Sequence, residues 1–215
     1  MLPLLAALAL AAAPSAPAAA PALVDVGRRL PDAVLDLRYA TAENITGRPL
    51  YPVARCLLRA EVAERLARAA AALRREGFRL LLFDCYRPLS VQRQLWKVMP
   101  RRGYVADPAT GSNHNRAAAV DLALADLTGV PVEMPTGFDA FEPRARAWAT
   151  DGVTPTARRH RDTLRAAMTA AGFSVNPMEW WHFDAHGAAA LPLLDLPLDG
   201  PLRPDAARPS PGGKP

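Results

Sequence analysis

Apolar positions along the chain follow two periods, and the places where one gives way to the other mark its elements. In "LRAEVAERLARAAAALRRE", Leu58 to Glu76, Val62, Leu66, Ala69 and Leu73 recur at helical spacing, and Gly77 follows as a stop. "FRLLLFD" is then a short apolar run ending at Asp84, which predicts a buried strand. "CYRP" follows as a loop, and "LSVQRQLWKVM" predicts a helix broken by Pro100. "AAAVDLALAD" predicts a second strand, and "LTGVPVEM" turns back at Thr128-Gly129 into a short third one, a hairpin. "TARRHRDTLRAAMTAAG" predicts a helix with Leu164 and Met168 on one face and Gly172 as its stop, and "WWHFD" supplies a final strand. Interleaved helices and strands that include a hairpin argue against a doubly wound parallel sheet. They predict an α+β domain with a mostly antiparallel central sheet flanked by helices. No internal repeat interrupts this pattern.

The two ends differ from the middle. "MLPLLAALALAAAPSAPAAAPA", residues 1–22, is apolar, short and followed by small residues and prolines, the pattern of a secretory signal peptide. It is too short to span a bilayer before Pro14 and Pro17, so no stable membrane anchor is expected once it is cleaved. The mature protein is then periplasmic or secreted, with a domain over 23–190. Residues 191–215, rich in proline, are expected to form a disordered tail too polar to pack. In an oxidising compartment Cys56 and Cys85 form a natural disulfide pair; the alternative is two buried thiols. The net charge of +5 is carried almost wholly by arginine, with only Lys97 and Lys214 as lysines. These arginines are scattered, with no basic run or aromatic interleaving, and that argues against a nucleic-acid partner.

Candidate chemistry begins with Asp121. On its strand Val120, Leu122 and Leu124 share one face, and Ala119, Asp121 and Ala123 the other. An unpaired carboxylate among apolar residues is costly, so Asp121 requires an arginine, a hydrogen-bond network or a metal. His114 lies in the preceding loop "GSNHN", which can fold back beside the strand. With His182 the set becomes two histidines and one aspartate, suited to zinc with one position open. Glu179 in "NPMEWWHFD" would then hold and deprotonate a water. The plainer alternatives are a buried Asp–Arg pair and an aromatic core strand whose polar ends are Glu179 and His182. Residues three apart on a regular strand point to opposite faces. Convergence of Glu179 and His182 therefore needs Glu179 in the approach to the strand, or a bulge; "NPME" also has the composition of a helix start. His160, in an Arg-rich helix, reads as solvated, and His186 as a turn residue. Arg87, at a strand-to-loop junction before a proline, either stabilises an oxyanion or pairs with Asp84.

"DLRYATAENITG", "FDCYRPLSVQ", "SNHNRAAAVDLAL", "MPTGFDAF" and "EWWHF" occur in an order that resembles the signatures of the D-alanyl-D-alanine dipeptidases. These are the VanX-like zinc peptidases, related to D,D-carboxypeptidases and the hedgehog fold, and the resemblance runs from Val24 to Leu198. It implies one zinc ion held by His114, Asp121 and His182, Glu179 as catalytic base, and Arg87 as the group that stabilises the transition state. Tyr39 and Asp139 resemble positions that receive the ammonium of a small D,D-dipeptide, and Ser112 and Tyr51 positions near its carboxylate. One departure stands out: Ala117 occupies a position where the family carries glycine. Ligation is expected to survive there if the backbone avoids positive φ. Three other readings are a carboxypeptidase or endopeptidase acting on longer cell-wall peptides, a non-catalytic zinc or cell-wall-binding module, and a metal-free structural domain.

Overall fold

The computed structural model describes residues 21–101 and 103–202. Residues 1–20 of the expected signal and 203–215 of the expected tail lie outside them. Strand β1 (Leu23–Asp25) pairs antiparallel with β3 (Leu57–Arg59) in a small sheet of its own. The short helix α1 (Val26–Arg29) and strand β2 (Val34–Leu35) separate them in sequence. Helix α2 (Ala60–Arg75) buries the stripe Val62, Leu66, Ala69 and Leu73, and the chain leaves it through Gly77 at φ +87°. Each leucine of such a stripe, removed from water, contributes roughly 2 kcal/mol. Strand β4 (Phe78–Asp84) and helix α3 (Leu89–Val98) follow, then strand β5 (Ala119–Asp126), helix α4 (Pro155–Ala170) and strands β6 (Phe173–Asn176) and β7 (Glu179–Ala185).

The main sheet runs β2-β4-β5-β7-β6, parallel only at β2–β4 and antiparallel elsewhere. Helices α2 and α4 pack on each other and against it, which makes the fold the expected α+β class. Central position explains why β5 is apolar on both faces: it lies between β4 and β7 and is buried from Ala119 to Ala125. Among the described residues, no helix is long and apolar enough to cross a membrane.

Two expectations need correction. The turn after β5 forms, with the Asp126 carboxylate accepting from the Thr128 and Val130 N–H groups and Gly129 at φ +95°. The third strand, however, shrinks to a single bridge between Ala125 and Pro131, flanked by the bonds Asp126 N–H to the Val130 carbonyl and Val132 N–H to the Leu124 carbonyl. The second correction concerns the tail, which packs as far as Leu202 instead of being disordered from Leu191. Leu194 and Leu198 are buried in a cluster with Tyr86, Val91 and Leu95. The Leu194 N–H donates to the Asn115 carbonyl at 2.7 Å, and the Leu196 N–H donates to the Tyr86 hydroxyl at 2.6 Å. The stretch from Leu191 to Leu202 is rich in leucine, and its backbone finds partners, which outweighs its prolines.

Cys56 and Cys85 are joined in a disulfide that fastens the start of β3 to the end of β4, and both are buried. Ala117 closes the 3-10 turn His114–Arg116 and adopts the left-handed conformation, φ 54° and ψ 38°. The condition set for it is therefore not met: the backbone does have positive φ. Its N–H donates to the His114 carbonyl, and its own carbonyl accepts from Arg59 N–H at 3.1 Å, so β3 and the turn hold it in place.

Two stability predictions follow from these geometries. Closing a loop between residues 29 apart constrains the unfolded chain. Replacing both cysteines by alanine should therefore lower the urea unfolding free energy by roughly 3 kcal/mol. A loss below about 1 kcal/mol would contradict the chain-entropy account. At position 117, left-handed backbone costs alanine about 1–2 kcal/mol, and glycine's larger unfolded-state entropy offsets part of the gain. Ala117→Gly should raise stability by about 0.5 kcal/mol in the same measurement, and a destabilisation would show that Ala117 is not strained.

Candidate active site

Antiparallel pairing of β5 and β7 sets Asp121 directly opposite His182, so the two side chains meet on one face of the sheet. His114 reaches the same point from the 3-10 turn preceding β5, where its ring is buried. Its Nδ1–H donates to the Cys85 carbonyl at 2.6 Å, since a carbonyl can only accept, and this leaves Nε2 bare and facing inward. His182 is held the other way round: its Nε2–H donates to the Asp184 carboxylate at 3.0 Å and leaves Nδ1 facing inward. His114 Nε2 lies 3.1 Å from His182 Nδ1 and 3.2 Å from Asp121 Oδ2, and His182 Nδ1 lies 2.9 Å from Asp121 Oδ1. Among the described residues these three form a group whose ligand atoms all lie within 4.8 Å of one another. Two imidazole lone pairs and a carboxylate facing one point, each ring anchored on its far side, make a donor set that fits a divalent cation such as zinc.

Glu179 joins them through a bulge. Asn176 of β6 pairs with Glu179 while Val175 pairs with Phe183, so three residues of β7 have no counterpart on β6. The irregularity re-aims Glu179, whose Oε2 comes to 3.9 Å from His182 Nδ1. "NPME" forms the turn into β7 and not a helix start: Asn176 Oδ1 accepts from the Met178 N–H, and its Nδ2 donates to Glu179 Oε2 at 2.9 Å. The two tryptophans anchor the strand. Trp180 and Trp181 are buried edge to face with ring centres 5.5 Å apart, and Trp180 Nε1–H donates to Thr136 Oγ1. Burial pushes the Glu179 carboxyl up to about 8, with the negative charge of Asp121 adding to the effect against the pull of His182.

Arg87 forms the pair with Asp84, one of the two roles the sequence left open. Its Nε and Nη2 donate to Asp84 Oδ2 at 2.9 and 2.6 Å, and its Nη1 donates to Gln92 Oε1 at 2.9 Å. The guanidinium stacks over the Tyr39 ring at 4.8 Å and still lines the cavity, with Nη2 3.8 Å from Asp121. That cavity, of about 300 Å³, also exposes Tyr39, Ser112, Asp139 and Glu179 on its walls. The Tyr39 hydroxyl donates to Asp139 Oδ2 at 3.0 Å. Burial, and then the charge of Asp121, push the Asp139 carboxyl up to about 7.

Tyr51 stands back from the cavity lining. It is buried behind the cavity wall, with its hydroxyl donating to Asp84 Oδ1 at 2.7 Å, because the Leu50 and Tyr51 N–H groups are tied to the Tyr39 carbonyl. It steadies the Asp84–Arg87 pair. His160 donates from Nδ1 to the Glu133 carbonyl and packs on Phe78, and His186 is exposed; neither belongs to the cluster. The sequence reading missed Gln92, Asn176 and Asp184. Only Asp184 carries a local signal, a carboxylate two residues beyond a histidine on the same strand face.

A model of the D-Ala-D-Ala dipeptidase family matches residues 19–198. The chain is 42% identical over 172 residues to the D-alanyl-D-alanine dipeptidase of Escherichia coli, spanning 80% of this chain and 89% of that protein. It is 33% identical over 172 residues to that of Enterococcus faecium, spanning 69% and 83% respectively. Against that of Streptomyces coelicolor it is 34% identical over 175 residues, again spanning 69% and 83%. Among solved structures, a mutant of the vancomycin-resistance D,D-pentapeptidase VanY in complex with Zn(II) is similar at a TM-score of 0.39 and 17% identity. That likeness covers 63% of this chain and 76% of the other. With a family match over most of its length and relatives at this level of identity, the chain belongs to the D-Ala-D-Ala dipeptidase family.

Proposed function

We propose that this protein hydrolyses free D-alanyl-D-alanine to two D-alanines, using one zinc ion held by His114, Asp121 and His182. The observation that carries the reading is the convergence of three potential ligand atoms beside a buried glutamate and a clamped arginine on one cavity. Zinc bound there supplies Lewis acidity, polarising the scissile carbonyl and acidifying water. Glu179 accepts the proton of the attacking water and returns it to the leaving amine, a role suited to a carboxyl whose affinity for protons is raised by burial. Arg87 carries five N–H donors and spends three on Asp84 and Gln92, so it has donors left for the oxyanion. Asp139 and Tyr39 receive the substrate ammonium, and Ser112 lies on the wall near the other end. Reading both ends favours free dipeptides over peptidoglycan strands. Export through residues 1–22 is part of the same proposal, and a disulfide beside the site supports it.

Release of D-alanine from the dipeptide by zinc-loaded protein should be rapid, and Glu179→Ala should abolish it. No release from loaded protein, together with trimming of an N-blocked pentapeptide, would favour the carboxypeptidase reading; zinc binding without turnover of either would favour the binding module. Arg87→Lys, which keeps a cation opposite Asp84 but loses the fork, should lower kcat roughly 10²–10³-fold. Below about pH 7 Asp139 gains a proton and can no longer pair with the ammonium as a charge, so KM should rise as pH falls through that range. Asp139→Asn should raise KM at least ~30-fold at neutral pH and flatten this dependence. An unchanged KM profile in that variant would remove Asp139 from the ammonium site.

A further inference from the structure

We propose that Asp184 is a positioning residue for the metal: its carboxylate fixes the tautomer and orientation of His182 so that Nδ1 is presented to the ion. The inference rests on the zinc reading above. Two observations lead to it. The histidines of the cluster offer different nitrogens, His114 its Nε2 and His182 its Nδ1, so each needs its own acceptor on the opposite ring atom. For His114 that acceptor is the Cys85 carbonyl, which belongs to the backbone. For His182 it is a side chain, Asp184 Oδ1 at 3.0 Å. Lacking this partner, a neutral His182 is free to carry its proton on Nδ1, the atom that must be bare to bind a cation.

Strand geometry explains how the carboxylate gets there. Residues 182 and 184 share a face of β7 by the two-residue period. Across the sheet Asp184 stands opposite Ala119 on β5 and Ser174 on β6, both small, which leaves room for it to lean onto the imidazole. A charged acceptor also makes His182 more basic as a ligand than a neutral one would.

The test measures zinc affinity directly, on the full chain stripped of metal and titrated with zinc against a chromogenic chelator. Asp184→Ala should weaken zinc binding about 10–100-fold. Asp184→Asn, which keeps an oxygen to accept from Nε2–H but loses the charge and preserves the shape, should fall between that and the parent. Melting temperatures of the metal-free proteins should stay close together, while the rise produced by added zinc shrinks in the order parent, Asn, Ala. The result that overturns the inference is zinc affinity in Asp184→Ala within twofold of the parent. A lowered metal-free melting temperature with unchanged zinc affinity, the mark of a purely structural residue, overturns it equally. Failure of the parent itself to take up zinc would instead bring down the metal reading on which the inference stands, so the two failures are told apart.

Discussion

Two imidazole nitrogens and a carboxylate are buried within hydrogen-bonding distance of one another, and the far nitrogen of each ring is held by an acceptor, the Cys85 carbonyl or the Asp184 carboxylate. In a low dielectric such a group repels itself unless a cation or added protons occupy its centre. Burial by itself would keep Asp121 protonated, yet the adjacent histidines hold its carboxyl well below the usual carboxylate range. Most of the local architecture serves to keep these atoms together. The β5–β7 register sets Asp121 against His182, and the 3-10 turn brings His114 over the strand end. The Cys85 carbonyl and the Asp184 carboxylate direct the ring protons outward.

A second buried charge, Asp84, organises the opposite wall. With no exposed surface, it needs every lone pair satisfied, and it accepts from Arg87, the Tyr51 hydroxyl and the Cys85 N–H. Cys85 therefore touches both halves of the site: its N–H steadies Asp84 and its carbonyl steadies His114. The disulfide pins this one residue to the start of β3, whose Arg59 in turn holds the carbonyls of Arg116 and Ala117. Histidine face and arginine face are thus braced by the same short stretch of backbone, which explains how a site made from several separated segments keeps its geometry.

What the sequence made legible follows from period and cost. Strand β4 and the core of β5 could be read because apolar runs of that length have few other structures available, and Asp121 because a carboxylate in such a run demands a partner. The helices showed in their stripes. Features that depend on tertiary pairing were not legible. The bulge that lets Glu179 meet His182 arises from the register of β6 against β7, which nothing in "EWWHF" specifies. Tyr51 belongs to a matching motif, but which way its ring turns depends on backbone bonds to Tyr39 that carry no side-chain signature. The tail up to Leu202 packs because its leucines meet a ready surface around Tyr86, a surface that exists only in the folded domain.

Backbone strain marks the site as well. Among the described residues, the non-glycine positions with positive φ are Ala117 and Asp139, and one lies beside the His114–Asp121–His182 cluster while the other lines the cavity. Asp139 tolerates this conformation better, since a short polar side chain can bond locally, whereas alanine has no such compensation. For Ala117 the neighbouring hydrogen bonds of β3 and the turn must outweigh a penalty of about 1–2 kcal/mol. The turn has a geometric reason to stay left-handed. Its αL residue reverses the chain between His114 and β5, so that the imidazole can fold back over Asp121 only seven residues further along. Relaxing Ala117 into an extended conformation would lengthen that connection and carry His114 away from the cluster. The strained alanine is therefore evidence that the position of His114 is held by more than the local preference of its own loop.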